Sequence, residues 1–284
     1  MPRKSDSVFR AMTDDGAFRV ITARTTHTVR GVLEAQAATG KTARCFADLL
    51  TGVVLLRLTM APQLRVQGIL RDRSAGGAIV ADSHPTGCTR GLVSQPSGSE
   101  PVSLGPGSIL RLMRTLHDGR LQQGIVEVPE GGISEALMTY MQVSEQVITM
   151  VSVGTIFDNG HVVSAGGYLV QLLPEAMRGP LFVMTERLEE FTSIDDRLRN
   201  PDFSPVSLMG ELLHRMPFTP LGTTDVRCEC WCSQVSVMAA LGMLPRAEVQ
   251  SMINDGQTLE IRCDYCNREY RVAPAELRGL VETN

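Results

Sequence analysis

Five of the seven cysteines of this 284-residue chain lie in two short runs near its C-terminus, and this clustering constrains the fold strongly. The runs are residues 228–232 (CECWC) and residues 263–266 (CDYC). A C-x-C motif and a C-x-x-C motif within one compact segment supply four sulfur ligands for a metal ion. Zn²⁺ is the expected occupant, because it accepts four thiolates in a tetrahedron and has no redox chemistry of its own.

Only two cysteines of the first run are needed to complete a four-sulfur site with the second run. Ser233 favours Cys230 and Cys232, because a serine N-cap would hold Cys232 at the start of a helix, where the helix dipole also favours a thiolate. The pair Cys228 and Cys230 is the alternative, and the sequence leaves it open. In the favoured arrangement, Cys228 is an extra thiol.

The cysteine pattern supports two interpretations of the metal site. In the first, a zinc knuckle only stabilises the end of the chain. In the second, the site also responds to oxidants, because vicinal thiols can close to local disulfides and expel the metal. A domain that is folded by its metal would then unfold, so the site would act as a switch.

The composition is that of a globular protein with an acidic balance. Apolar residues make up 43% of the chain and the formal net charge is −4, which argues against a general nucleic-acid-binding protein. The most apolar run, residues 49–60, is short and contains Arg57, so we expect no membrane association. No secretory signal is recognised, so we expect a reducing, cytoplasmic location, where clustered cysteines bind metals or act in redox chemistry.

Residues 1–176 are predicted to form a mixed α+β domain. Strand patterns occur at residues 18–24, 64–70, 78–81 and 124–128, and the Thr/Val-rich run to Val32 is compatible with a continuation of the first strand. Helical spacing is found at residues 41–60 and after Ser134. The sequence DNG at residues 158–160 predicts a hairpin.

Residues 177–226 are predicted to form a helical linker, and residues 227–284 a small zinc-binding domain. Gly-Pro, Asn-Pro and Ser-Pro steps separate amphipathic helices in the linker, which is rich in Leu and Met. In the last domain, Ser233 and Pro245 begin helices, residues 259–262 form a strand, and Pro274 begins a final helix. Apolar residues are few there, so a metal should contribute much of the folding free energy.

Other chemically active residues give weaker signals. Cys45 lies on the predicted helix 41–60 and is interpreted as a core thiol. Cys88 is interpreted as a loop thiol, with His84 as the only nearby partner for a Cys/His dyad. The sequence contains no P-loop, dinucleotide-binding glycine pattern or nucleophile elbow, and we predict no enzymatic activity.

Several runs resemble one known family, the 33-kDa chaperonins, or heat shock protein 33 family, of redox-regulated holdase chaperones. The resemblance extends nearly end to end and is carried by residues 230–233 (CWCS), residues 263–267 (CDYCN), Tyr270, residues 140–146 and residues 166–174 (GGYLVQLLP). It implies that the first domain binds substrate, that the middle segment is a linker, and that Cys230, Cys232, Cys263 and Cys266 bind one zinc ion in the reduced state.

The resemblance also implies how such a chain acts. An ATP-independent holdase binds unfolding proteins under oxidative stress and is weakly active while reduced. Oxidation would form the disulfides Cys230–Cys232 and Cys263–Cys266, release zinc, unfold the linker and favour a homodimer. Clients would then be transferred to ATP-dependent foldase chaperones. No binding to nucleic acid or to membranes is expected.

The chain departs from the family pattern at three places. Cys228 is additional and can shuffle disulfides or change the oxidation threshold. Residues 234–237 (QVSV) replace a charged run, and Val147 stands where a proline often follows residues 144–146. The first two departures concern the details of switching more than the fold.

Two other functions compete with the holdase. The first is a thiol-disulfide oxidoreductase that uses Cys263 and Cys266, although their motif follows a predicted strand and does not open a helix. The second is a zinc-ribbon nucleic-acid module. Residues 227–284 carry six Arg, no Lys and eight acidic residues, which is not a basic footprint.

Overall fold

The computed structural model describes residues 5–72, 77–94, 105–115, 119–174, 176, 178–191 and 193–282. The chain divides into two compact units, residues 1–229 and residues 230–284. In chain order, the first unit contains β1 (Ser7–Thr13), β2 (Phe18–Arg24), α1 (Thr26–Ala35), α2 (Gly40–Arg57), β3 (Val66–Arg71), β4 (Ala78–Ser83), β5 (Cys88–Ser94), β6 (Ile109–Thr115), β7 (Leu121–Glu127), α3 (Gly132–Ser144), β8 (Thr149–Asp158), β9 (His161–Leu172), α4 (Arg178–Glu189), α5 (Asp195–Leu198), α6 (Pro205–Leu212), β10 (Phe218–Asp225) and β11 (Arg227–Cys228). The second unit contains α7 (Gln234–Leu241), α8 (Arg246–Asn254), β12 (Leu259–Arg262), β13 (Glu269–Val272) and α9 (Pro274–Glu282).

Two sheets form the first unit, which confirms the predicted α+β class. Sheet 1 has the strand order β10-β1-β2-β9-β8, and sheet 2 has the order β11-β5-β4-β3-β6-β7. The predicted hairpin joins β8 to β9, and Asn159 and Gly160 at its tip both have positive φ, as such a turn requires. All strand pairs of the two sheets are antiparallel except the pair of β11 with β5.

Helix α2 contacts both sheets and lies at the centre of the first unit. The apolar positions predicted for it are all buried: Ala43, Phe46, Leu49, Leu50 and Val53. A Cβ added to Gly91 of β5 would lie 2.4 Å from Cζ of Phe46, so the helix packs directly on the backbone of sheet 2. Side chains from both sheets and from α1, α2 and α3 form one continuous core.

The opposite face of sheet 1 is covered by helices α4 to α6, which belong to the predicted linker. Phe191 follows α4 and packs edge-on against Tyr168 of β9, with ring centroids 6.0 Å apart and an interplanar angle of 87°. The guanidinium of Arg197 lies 4.2 Å from the centroid of Phe191. Ser204 caps α6, accepting the N–H of Ser207 at 3.0 Å. A second apolar cluster therefore holds these helices to the sheet.

Two predicted elements are wrong. Residues 26–35 form α1 and do not extend the first strand, because Val29, Val32 and Leu33 recur at helical spacing and face the core. The end of the predicted helical linker is strand β10, which pairs with β1 along residues 218–225. Pro220 and Gly222 oppose a helix there, whereas an edge strand accepts a proline.

The second unit has a small apolar core. Its cluster of buried side chains consists of Leu241, Val249, Val272 and Leu277, with partly buried apolar residues packed around them. The predicted serine cap is confirmed, since Ser233 Oγ accepts the N–H of Ser236 at 3.2 Å. Residues 227–229, which the sequence assigned to the last domain, pair with β5 of the first unit instead.

Among the described residues, no helix combines the length and apolar character needed to cross a bilayer.

Candidate metal centre

Four cysteine sulfurs meet in the second unit. The Sγ atoms of Cys230, Cys232, Cys263 and Cys266 all lie within 4.8 Å of one another. Sγ of Cys230 is 3.8 Å from that of Cys263, and Sγ of Cys232 is 3.4 Å from that of Cys266. A tetrahedral ion with metal–sulfur bonds of about 2.3 Å places its sulfurs about 3.8 Å apart. The four thiols therefore have the spacing of a closed, four-coordinate site.

Local structure fixes both arms of this cluster. Cys232 directly precedes Ser233, whose side chain caps α7, so the first arm ends at a helix start. The second arm is the knuckle between β12 and β13. The Cys263 N–H donates to the Arg268 carbonyl at 2.9 Å, and the Asn267 N–H donates to the Cys263 carbonyl at 2.7 Å. Asn267 adopts a φ of 58°, a left-handed conformation that asparagine tolerates better than most residues.

Tyr270 on β13 supports the cluster through a hydrogen bond. Its hydroxyl donates to Sγ of Cys232 at 3.0 Å, and the residue is only 8% exposed. A metal-bound thiolate is oriented by such donors. From the sequence, Tyr270 is picked out only by the family resemblance. The available local signal was its place four residues after Cys266, on a strand leaving the knuckle.

Without a cation, the thiols of Cys232, Cys263 and Cys266 do not ionise equally readily. Burial acts to raise the pKa of Cys232, but hydrogen bonds from Tyr270 and the neighbouring thiols outweigh it and hold this pKa at about 7. Burial raises the pKa of Cys263, and burial with hydrogen bonding to the other thiols raises that of Cys266 to about 12. Ionisation of one thiol therefore disfavours ionisation of the thiols beside it. A thiophilic divalent cation removes that opposition, so the donor set fits such an ion.

Cys228 lies in the first unit, on β11. This two-residue strand runs parallel to β5, with Arg227 opposite Cys88 and Cys228 opposite Thr89. The side chain of Cys228 faces α1, where a Cβ on Gly31 would lie 3.0 Å from its Sγ. The group of four close sulfurs does not include Cys228. No local pattern predicts β11, because two residues are too few to show a period.

Cys88 is buried at the start of β5 and is not the loop thiol that was predicted. The Thr86 hydroxyl donates to Sγ of Cys88 at 3.2 Å, and His84 Nδ1 lies 2.9 Å from that hydroxyl oxygen. On its other side, Sγ of Cys88 lies 3.4 Å from Oε2 of Glu229, which pairs with Arg227 at 2.5 Å. The threonine stands between imidazole and thiol, so this geometry does not form a Cys/His dyad.

Cys45 lies on α2, half-buried beside the core. Burial and the neighbouring Asp48 raise the pKa of its thiol. An activated nucleophile needs a lowered pKa, so this environment supports the predicted structural role.

Fold and site together define a class of protein: a large two-sheet body followed by a small thiol-rich unit that can hold a metal ion. The profile of the family described as Hsp33 protein matches residues 6–273, and the chain belongs to that family. The resemblance predicted from the cysteine runs is thereby confirmed.

Individual relatives match over almost their whole length. The 33 kDa chaperonin of Thermoanaerobacter sp. (strain X514) is 26% identical and aligns with 97% of this chain and 98% of its own. The 33 kDa chaperonin of Syntrophotalea carbinolica is also 26% identical, with 97% and 99% covered. The crystal structure of the 33 kDa chaperonin (heat shock protein 33 homolog) of Thermotoga maritima matches with a TM-score of 0.81 at 22% identity, covering 99% of both chains. This structural match establishes the shared fold.

Proposed function

We propose that this protein is a zinc-containing, redox-regulated and ATP-independent holdase that binds unfolding proteins under oxidative stress. One observation carries the proposal: four cysteine sulfurs meet in a unit whose core cluster has four buried apolar side chains among its described residues. A core of this size contributes little stability by itself, so the thiols and their metal decide whether the unit is folded.

The proposed ligands are Cys230, Cys232, Cys263 and Cys266. Zn²⁺ fits them because it prefers tetrahedral thiolate coordination, and when bound it would offset two of the four negative charges of the thiolates. The protein's contribution is to hold the two arms together, through the Ser233 cap on one side and the knuckle between β12 and β13 on the other.

The proposed switch is oxidation of each arm to a local disulfide, Cys230–Cys232 and Cys263–Cys266. Each disulfide forms as two thiols lose two electrons and two protons, and one hydrogen peroxide molecule is reduced to two waters. Two peroxides therefore remove all four thiolates that would bind zinc. The second unit is then left with its small core alone.

The proposed client surface is the face of sheet 1 beneath α4, α5 and α6. Its apolar residues include Phe18, Val20, Tyr168 and Val170, which these helices cover. A cavity of about 840 Å³ already lies between this face and α4. Helix α5 has only four residues, so the layer formed by α4, α5 and α6 is held by side-chain packing on the sheet. Such a layer can detach from the sheet by local unfolding. Released helices would expose a broad apolar surface.

The test follows aggregation of a heat-unfolding client protein with reduced and peroxide-treated chain, while zinc release is measured. We expect suppression only after oxidation, with loss of about one zinc and four thiols per chain. The Cys45→Ser variant, which keeps all four proposed ligands, is the control. Equal suppression in both states would reject the switch, and no suppression in either state would reject the holdase.

Three further properties belong to the same proposal. Oxidised chains form homodimers, clients are handed to ATP-dependent foldase chaperones, and the protein works in the cytoplasm. Sedimentation of the oxidised chain tests the first, and client refolding after addition of a foldase system tests the second.

A further inference from the structure

Three arginines lie around the C-terminal end of α2, away from the cysteine cluster in sequence and in a different unit. Arg57 is the last residue of α2 and is only 3% exposed. In the β1–β2 ladder, Arg10 lies opposite Ile21 and Arg19 lies opposite Met12. Because side chains alternate along a strand, Arg10, Arg19 and Ile21 share one face of sheet 1. This is the face that packs on α2.

The guanidinium groups of these arginines are only partly satisfied. Nε of Arg57 donates to Oγ of Ser83 at 3.2 Å. Arg19 donates to the carbonyl of Thr59 at 2.8 Å and to Oε1 of Gln171 at 2.7 Å. Within the described chain, Nη2 of Arg57 and Nε of Arg10 are buried without any hydrogen-bond partner. Buried donors of charged groups are rarely left in this state.

The positive charge of the group is also unbalanced. The ion pairs formed between described residues include none of the three arginines. Asp82, which precedes Ser83 on β4, is bound by Arg65 and Arg90 instead. Burial, followed by the positive charge of Arg10, lowers the pKa of Arg19 and lowers that of Arg57 to about 10. The arginines therefore repel one another in a dehydrated environment.

Two simpler explanations account for part of this arrangement. The C-terminal end of α2 carries a partial negative charge, and Arg19 donates to the carbonyl of Thr59, two residues beyond the end of the helix. That partial charge is about half an elementary charge, against three guanidinium groups. A buried water molecule would satisfy a free donor, but it would leave the net charge unchanged. Neither explanation supplies the missing negative charge.

We propose that Arg10, Arg19 and Arg57 form a binding site for a phosphate-type oxyanion. Guanidinium groups bind phosphate oxygens through pairs of parallel N–H bonds, and a dianion would offset the charge of two arginines. Two of the three arginines can be approached from outside. Arg10 is only half-buried, and an open cavity of about 380 Å³ borders Arg19 and Gln171.

The experiment uses the full, zinc-loaded chain and inorganic phosphate, titrated at constant ionic strength with chloride as the balancing anion. Calorimetry measures the affinity, and thermal unfolding of the first unit measures the shift in Tm. We expect saturable binding and a rise in Tm. In Arg57→Met we expect affinity at least about tenfold lower, because a charge-assisted hydrogen bond is removed. Without phosphate, this variant should be at least as stable as the wild type, because an unpaired buried charge is replaced by an apolar chain.

The matched control is Arg199→Met, which removes an exposed arginine that pairs with Asp196. It should bind phosphate with the wild-type affinity. Arg10→Gln provides a second test of the site if Arg57→Met does not fold. The proposal is overturned if phosphate does not bind saturably, or if Arg57→Met or Arg10→Gln binds it as tightly as Arg199→Met does. Acetate in a parallel titration should bind more weakly than phosphate. Tighter binding of acetate would mean that the site binds a carboxylate and that the phosphate assignment is wrong.

Discussion

Cys228 and Cys230 are two residues apart in the chain and belong to different structural units. Cys230 lies in the group of four sulfurs, whereas Cys228 is on a strand that pairs with β5. The sequence favoured Cys230 and Cys232 through one local signal, the serine that caps α7. The place of Cys228 depends on a pairing with residues about 140 positions earlier, which no local pattern records.

Substitution of the cysteines tests this difference directly. We expect Cys266→Ser to lose bound zinc, because three thiols and a hydroxyl are a much weaker donor set. Cys228→Ser should retain about one zinc per chain, the number we expect for the wild type. Metal analysis of the reduced, purified variants measures both. Loss of zinc from Cys228→Ser would mean that the wrong four cysteines were chosen.

Tyr270 offers a second test at the residue scale. Tyr270→Phe removes the hydroxyl that donates to Sγ of Cys232 and keeps the ring in the small core. We expect the zinc affinity to fall about tenfold or more, the usual effect of losing a supporting hydrogen bond. Competition with a chromogenic chelator measures this affinity. An unchanged affinity would show that the tyrosine acts through packing alone.

Asp48 on α2 makes stability depend on pH. Burial raises the pKa of its carboxyl from the ordinary value of 3.8 to about 7, although the hydroxyl of Thr155 donates to it at 3.1 Å. Between these two pH values the folded chain holds a proton that the unfolded chain has lost. The free energy of unfolding therefore falls as the pH rises through this window and levels off above pH 7.

Asp48→Asn should remove this dependence, because the amide does not ionise and its oxygen can still accept the Thr155 hydroxyl. Relative to the variant, we expect the wild type to lose up to about 4 kcal/mol between pH 4 and pH 8. Urea unfolding at both pH values measures the difference. Asp196→Asn, at an exposed position, is the control and should follow the wild type. The same change in unfolding free energy between the two pH values for wild type and Asp48→Asn would contradict the prediction.

At the scale of elements, helices α4 to α6 are held on sheet 1 by an apolar cluster that includes aromatic contacts. Phe191→Ala removes the contact with Tyr168 and the ring that Arg197 covers. We expect a loss of about 3 kcal/mol in the packing of this layer, as for other buried phenylalanines. The reduced chain should then bind a hydrophobic dye and show measurable client protection before oxidation.

Phe182→Ala is the matched control for this experiment, because Phe182 lies on α4 but is 63% exposed. It should leave both dye binding and client protection unchanged. If Phe191→Ala behaves in the same way as this control, the covered face of sheet 1 is not the client surface.

The elements that were predicted correctly are those whose pattern repeats several times. Helix α2 has 18 residues with a regular buried stripe. The β8–β9 hairpin contains the turn sequence DNG, which strongly favours a tight hairpin. The two elements that were missed differ in cause. Helix α1 carries helical spacing at Val29, Val32 and Leu33, but its Thr and Val residues also suit a strand. Strand β10 is held by β1 more than 200 positions earlier, and this contact leaves no periodic trace in its own segment.

At the scale of the whole molecule, the two units differ in what stabilises them. The first has two large apolar clusters, whereas the second has one small cluster with four buried apolar side chains, together with the four thiols. We expect a chelator under reducing conditions to unfold residues 230–284 and to leave the first unit folded. Circular dichroism should show partial loss of helix, with the main thermal transition retained.

Calorimetry of the chelated chain provides the control for this prediction. Its main transition should match that of the zinc-loaded chain in temperature and differ only in the enthalpy contributed by the small unit. A single transition that shifts as a whole would mean that the two units unfold together.

The small core of the second unit also makes its folding depend on zinc supply. In the proposed function this unit folds around one zinc ion, so it should unfold when an oxidant removes the ligands and also when zinc is limiting. Growth in zinc-poor medium should therefore leave part of this protein with an unfolded tail even when no oxidant is present. The folded fraction of the second unit would therefore depend on zinc availability as well as on oxidative stress.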